Sequence, residues 1–222
     1  MQTKNQITID GPAASGKSVV GKLLSKKLDY LFLDTGLMYR AATKIITESN
    51  ILFSDLKNIK QLIKKASFEL NSISHEPRLL VNSKDLTDSL KTSQIDKDVS
   101  TVSKIPEVRE ILVNHQRKIA KHTNIVMVGR DIGSIVLPNA TLKIYLDASV
   151  EVRTNRRLND SQQNFSHNDF DIIKRDLIQR DNSDSNREHS PLIIPKGSVV
   201  IDTSDLKITE VIDSILKELE NL

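Results

Sequence analysis

Apolar and polar residues follow two periods along this chain. Five runs of mostly apolar residues have the length and make-up of strands covered on both faces: QITID (6–10), YLFLD (30–34), NIVMVG (124–129), LKIYLD (142–147) and SVVID (198–202). Between them, apolar residues recur at helical spacing. Val19, Val20, Leu23, Leu24 and Leu28 form one stripe in KSVVGKLLSKKL; Met38, Ala41, Ala42, Ile45 and Ile46 form another in TGLMYRAATKIITES. The same pattern predicts helices in FSDLKNIKQLIKKA, with Ser54 as N-cap, in SQIDKDVSTVSKI, and in PEVREILVNHQRKIAKH, with Pro106 in the first turn. SVEVRTNRRL, FDIIKRDLIQRD and LKITEVIDSILKELENL complete the set.

Residues 68–90 break this alternation. FELNS and PRLLVNSKDLT, punctuated by Asn, Ser and Pro, predict short strands and turns in a small inserted subdomain. The remaining strand–helix alternation predicts an α/β fold with a doubly wound parallel sheet, whose ligands sit at the carboxyl ends of the strands. DG after the first strand, DTG after the second and GRDIG after a later one are then expected at one crevice. The polar run NDSQQNFSHND (159–169) reads as a mobile loop.

Composition narrows the class. Of 222 residues, 38% are hydrophobic and 27% charged, with a net charge of +3. That balance suits a soluble globular protein that accepts an anionic ligand, and it gives no sign of a nucleic-acid partner. The absence of cysteine removes disulfides, thiolate metal sites and thiol nucleophiles. No apolar run approaches the roughly 20 residues that span a bilayer, and the N-terminus has no leader-like run. A cytoplasmic protein is expected.

GPAASGKS (11–18) matches the phosphate-loop pattern and has the context that pattern needs, a strand before it and a helix after it. Gly11 and Gly16 let the backbone wrap closely, so that amides along Gly11, Pro12, Ala13, Ala14, Ser15, Gly16, Lys17, Ser18 and Val19 can face phosphate oxygens (Pro12, lacking an N–H, only shapes the turn). The Lys17 ammonium can reach the outer phosphates, and the Ser18 hydroxyl can ligate Mg²⁺. Arginines are numerous further along: Arg40, Arg130, then Arg153, Arg156 and Arg157 at i, i+3, i+4, then Arg180 and Arg187 with Asp184 between them. A phosphoryl group in transfer carries negative charge that fixed guanidiniums stabilise, which favours a kinase over a slow hydrolytic switch. The guanine-reading N-K-x-D sequence does not occur, and DTGL is not the D-x-x-G switch. The five histidines lack metal-ligand spacing and read as surface residues.

IDGPAASGKS, LDTGLMYRA, VNSKDLT, PEVRE, GRDIGSIVLPNATLKIYLDAS, RD with SDSNREHSPL, and VVIDTS resemble, in order and spacing, the bacterial cytidylate (CMP) kinases, members of the P-loop nucleoside monophosphate kinases. The resemblance runs over nearly the whole chain. It implies a P-loop kinase fold with an inserted monophosphate-binding region (about 36–102), a short lid (about 153–175) and a core of 1–35, 103–152 and 176–222. It implies ATP-dependent phosphorylation of CMP and dCMP, with ATP and Mg²⁺ as cofactors, no membrane or nucleic-acid partner, and a monomer. Thr35, Tyr39 and Arg40 would line the acceptor site. Ser100, Arg109 and Asp131 would read the cytosine edge. Arg130 and Arg180 would hold the acceptor phosphate, and Asp184 and Arg187 the sugar and phosphate. Arg153, Arg156 and Arg157 would begin the lid over ATP; Lys17, Arg130, Arg157 and Arg180 would act on the transferring group. Lys91 in SLKTSQI departs from the family's usual arginine and lacks its bidentate fork.

Two rivals remain on the sequence alone. Another small-molecule P-loop kinase would share the loop but have no reason for the 68–100 insert with Arg109 and Asp131. A nucleotide-binding regulatory module would bind ATP without phosphotransfer.

Overall fold

The computed structural model describes residues 4–73, 76–160 and 169–222. The chain divides into two compact units. One comprises residues 1–4 and 31–125; the other comprises 5–30 and 126–222.

The second unit is built on a parallel sheet. Its strands are β1 (Gln6–Asp10), β6 (Ile125–Gly129, beginning at the unit boundary), β7 (Leu142–Asp147) and β8 (Val199–Asp202), in the spatial order β6-β1-β7-β8. β1 runs parallel to β7 with Asp10 opposite Tyr145, and β7 runs parallel to β8 with Asp147 opposite Asp202. Every residue of β6 is buried, as are Ile7 and Ile9 of β1. Each apolar side chain there contributes about 1.5–3 kcal/mol of burial, so the runs in β1 and β6 reflect strands covered on both faces; SVVID departs from that expectation, because β8 is the edge strand and leaves Val200 exposed. The helices α1 (Lys17–Leu28), α6 (Val150–Leu158), α7 (Phe170–Ser185) and α8 (Ile208–Glu220) surround it. α1 packs on β1 and α8, and α6 packs along α7.

The first unit holds β2 (Leu31–Asp34), α2 (Thr35–Glu48), α3 (Leu56–Lys65), β3 (Phe68–Ile73), β4 (Glu76–Val81), β5 (Lys84–Asp85), α4 (Ser93–Val102) and α5 (Pro106–Ala120). β3, β4 and β5 form an antiparallel sheet, the short strands expected for residues 68–90. α2 packs against α3, α4, α5 and β4, burying Met38, Ala41, Ala42 and Ile46. Arg78 staples β4 to β5 and the turn beyond it, donating from Nε to Asp85 at 2.6 Å and from its terminal nitrogens to Asp88.

Three local readings are corrected. The N-cap of α3 is Asp55, whose carboxylate accepts from Asn58 N–H, rather than Ser54; the chain enters the helix one residue later. His115 is half-buried, edge-on to the Phe68 ring at 5.4 Å, rather than a surface residue. α7 does not end with the predicted FDIIKRDLIQRD stretch but runs on through Asn182 and Ser183 to Ser185. Most of the polar run 159–169 lies outside the described residues. No helix among the described residues is long and apolar enough to cross a membrane.

Candidate functional site

β1 ends in a loop whose shape is dictated by its glycines. Gly11 has φ +147°, and a Cβ there would sit 2.0 Å from the Leu146 carbonyl oxygen on β7; only glycine fits. Gly16 caps α1 at φ +96°, and Ala14 accepts the left-handed region at φ +60°. The loop thereby delivers the amino end of α1, the positive end of its dipole, to the carboxyl edge of the sheet. Lys17 lies back on its own loop, with Nζ donating to Pro12 O at 2.5 Å and Ser15 Oγ at 3.2 Å. Ser18 and Val19 are exposed at the start of the helix.

Side chains from α6 and α7 hold this loop in place. Asp181 accepts from Ala13 N–H at 3.3 Å and from Arg153 at 2.5 Å. Arg153, only 7% exposed, also donates to Ala13 O and Ala148 O. One residue of the loop is thus gripped through both its N–H and its C=O. Arg156 donates to Ser15 O and to the hydroxyl and carbonyl of Thr203, which itself donates to Ser15 O. Burial pulls the Arg156 pKa down, against the opposing effect of Asp202. The described contacts of Arg153 and Arg156 are mainly with the loop and its supports, whereas the sequence suggested groups facing a bound nucleotide. Arg157 points instead toward Asp160, at 3.9 Å. Asp181 and Thr203 escaped the residue-level reading because each works on main-chain atoms, which carry no residue signature; their only trace was membership of the RD and VVIDTS stretches.

A charged network lies beyond the end of β6. Arg130 Nε donates to Asp184 Oδ2 at 2.8 Å. Arg187, just beyond the end of α7, lies 3.8 Å from Asp184 and 3.9 Å from Asp131. Arg180 and Asp184 are four residues apart on α7 and therefore share a face. Burial pushes the Asp184 carboxyl up, yet Arg130, Arg180 and Arg187 together hold it below its ordinary value. Three guanidiniums around two carboxylates leave a positive excess, a suitable field for an anion.

In the first unit, Asp34 caps α2 by accepting from Gly36 N–H at 2.9 Å, and Thr35, Tyr39 and Arg40 lie on the first turns. Arg40 donates to Leu90 O at 3.3 Å and pairs with Asp96 of α4. Arg109, on α5 and 4% exposed, donates to Ser103 O at 3.1 Å and stands over the Tyr39 ring at 5.3 Å. That cation–π contact fixes a buried guanidinium beside an aromatic face. Ser100 lies on α4, three residues before the Ser103 carbonyl that Arg109 engages. Asp96 is a further partner that the sequence did not single out.

Comparison with known proteins settles the family. The family model for cytidylate kinase matches residues 7–221. This chain belongs to the cytidylate kinase family. It is 41% identical over 217 residues to a cytidylate kinase of Geobacillus sp. (strain WCH70), covering 98% of this chain and 97% of that one. It is 39% identical to the Bacillus subtilis (strain 168) cytidylate kinase, covering 99% and 98%. Among solved structures, a shikimate kinase from Bacteroides thetaiotaomicron superposes with a TM-score of 0.52 at 14% identity, covering 98% of this chain and 99% of that one. A gluconokinase from Sinorhizobium meliloti 1021 gives 0.51 at 14%, covering 100% and 94%. At such identities these structures establish the fold alone, that of the P-loop kinases. Family membership sets aside the rival of an unrelated small-molecule kinase.

Proposed function

We propose that this chain transfers the γ-phosphoryl group of ATP to CMP and dCMP, yielding ADP with CDP or dCDP. The observation that carries the reading is the joint presence, in the second unit, of a phosphate loop and the Arg130–Asp184–Arg187–Asp131 network. The loop and α1 hold the donor phosphates, Lys17 leaving Pro12 O and Ser15 Oγ for them. Arg130 and Arg180 hold the acceptor phosphate, Asp184 and Arg187 the sugar and phosphate, and Arg157 joins Lys17 at the transferring group. In the first unit, Thr35, Tyr39 and Arg40 serve the acceptor nucleotide, and Ser100 and Arg109 donate to cytosine N3 and O2.

Asp131 accepts from the exocyclic amine of cytosine; uracil presents a carbonyl there, leaving the carboxylate badly paired. The acceptor phosphate is already anionic at neutral pH, so the reaction calls for no strong general base. The donor set suits Mg²⁺ supplied with the nucleotide. Ser18 offers a hydroxyl at the exposed start of α1, an oxygen donor of the kind Mg²⁺ takes beside phosphate oxygens and water. When bound, the ion neutralises charge on the phosphates. Residues 36–102 serve as the acceptor-binding insert and 153–175 as the lid, in a cytoplasmic monomer.

A coupled assay of ADP formation tests the reading. CMP and dCMP are expected to be turned over far faster than AMP, GMP or UMP. A preference for AMP would remove the cytosine assignment, and ATP binding without turnover of any monophosphate would favour the regulatory-module rival.

A further inference from the structure

The roles assigned to Arg130 and Asp131 leave out the buried carboxylate that holds the turn after them. Asp10 is the last residue of β1, directly before Gly11, and is fully buried. Its oxygens take one backbone amide each: Oδ1 accepts from Ile132 N–H at 2.8 Å, and Oδ2 from Gly133 N–H at 2.7 Å. These two residues open the turn Ile132–Val136, immediately after Arg130 and Asp131. At the start of a helical turn such amides have no acceptor within the turn, and buried ones need a partner. On the other side of the junction, the Asp131 carbonyl accepts from Ile135 and Val136 N–H. The backbone of Asp131 is therefore tied to the turn, and the turn is tied to Asp10. A Cβ on Gly133 would lie 2.9 Å from Thr8 Oγ1 and 3.2 Å from Asp10 Oδ2, so the turn rests directly on β1.

We propose that Asp10 is a positioning residue: by capping the 132–136 turn it sets where Arg130 and Asp131 present their side chains to the acceptor nucleotide, and it fixes that placement to the strand that leads into the phosphate loop. This inference rests on the acceptor roles given above. The chemistry requires a carboxylate rather than an amide. Both oxygens accept, whereas an asparagine would turn an NH₂ donor toward one of the two N–H groups. Burial pushes the Asp10 carboxyl up to about 6, against the pull of the Gly133 and Ile132 amides. The charged and titratable groups facing it are Asp131, which raises it further, Lys17 of α1, which lowers it, and Tyr145 opposite on β7. The capping carboxylate is thus charged at neutral pH and loses an acceptor on protonation in mild acid.

The test is steady-state kinetics of Asp10→Asn, with thermal melting and ATP-analogue binding as controls on the fold. The expected result is a rise of about tenfold in KM for CMP and a reduced preference for CMP over UMP, with KM for ATP changed less than about twofold. Parallel losses toward ATP and CMP would make Asp10 a general structural residue and overturn the proposal; so would unchanged CMP kinetics.

Should the variant not fold, the wild-type chain provides the second measurement. Cytidine, which lacks a titrating phosphate, should bind about threefold more weakly at pH 5.5 than at pH 7.5, as the cap loses an acceptor. Flat cytidine affinity over that range would overturn the proposal. A wild-type enzyme that ignores CMP altogether would remove the acceptor reading and this inference with it, whereas an active wild type with an indifferent Asp10→Asn removes this inference alone.

Discussion

Asp184 is a carboxylate placed among three guanidiniums, and its surroundings keep it charged although it is buried. Its pKa is lowered in the folded chain, so its contribution to stability is present above the ordinary carboxylate value and is lost as pH falls through the folded value. Asp184→Asn should cost about 2–3 kcal/mol at pH 7, because Arg130 and Arg187 lose a buried counter-charge. The loss should begin to shrink below about pH 4, where the carboxylate becomes protonated in the unfolded chain, and should disappear as pH falls through the lower folded value. Urea melts of both proteins at about pH 7 and about pH 3.5 measure this; an equal gap at the two pH values would contradict the assigned charge state. Asp131 makes a different claim, one about recognition. Asp131→Ala should lower discrimination of CMP over UMP by about tenfold or more while leaving ATP affinity within about twofold. Equal losses with both acceptors, measured as kcat/KM, would take Asp131 out of the base-reading role.

At the scale of elements, the phosphate loop shows how glycine positions become fixed by neighbouring strands. Gly11→Ala places a methyl group against the Leu146 carbonyl, backbone that cannot swing aside. The substitution should cost about 2–4 kcal/mol and weaken ATP binding; calorimetric melting with and without ATP checks both, and an unshifted Tm would contradict the packing. The loop, its flanking strand and helix, and the alternation behind them were legible because apolar periodicity and glycine spacing survive in one dimension. What fixes the loop was not. Arg153, Arg156, Asp181 and Thr203 act on the main chain of residues 13 and 15. Backbone carbonyls and amides look alike at every position, so nothing in the sequence announces which of them a side chain will meet. Helix ends failed for a related reason: Ser54 and Asp55 are both good N-caps, and only the path of the chain into α3 selects the second. α7 tolerates Asn182 and Ser183 because tertiary packing of Ile173 and Leu177 outweighs the small propensity deficit.

At the scale of the whole molecule, the residues proposed for the acceptor belong to two units. Thr35, Tyr39, Arg40, Ser100 and Arg109 belong to the first, and Arg130, Asp131, Arg180, Asp184 and Arg187 to the second. Each set is organised within its own unit: Arg40 through Asp96 and Leu90, Arg109 through Ser103 and Tyr39, Arg130 through Asp184. The family's activity exchanges one phosphoanhydride for another, so it should run in both directions. ³¹P NMR of the chain with Mg²⁺, ATP and CMP tests this most directly. ADP and CDP resonances should grow in equal amounts, and the same mixture should be approached from ADP and CDP. Inorganic phosphate rising without CDP, or spectra unchanged by CMP but altered by AMP, would contradict the account.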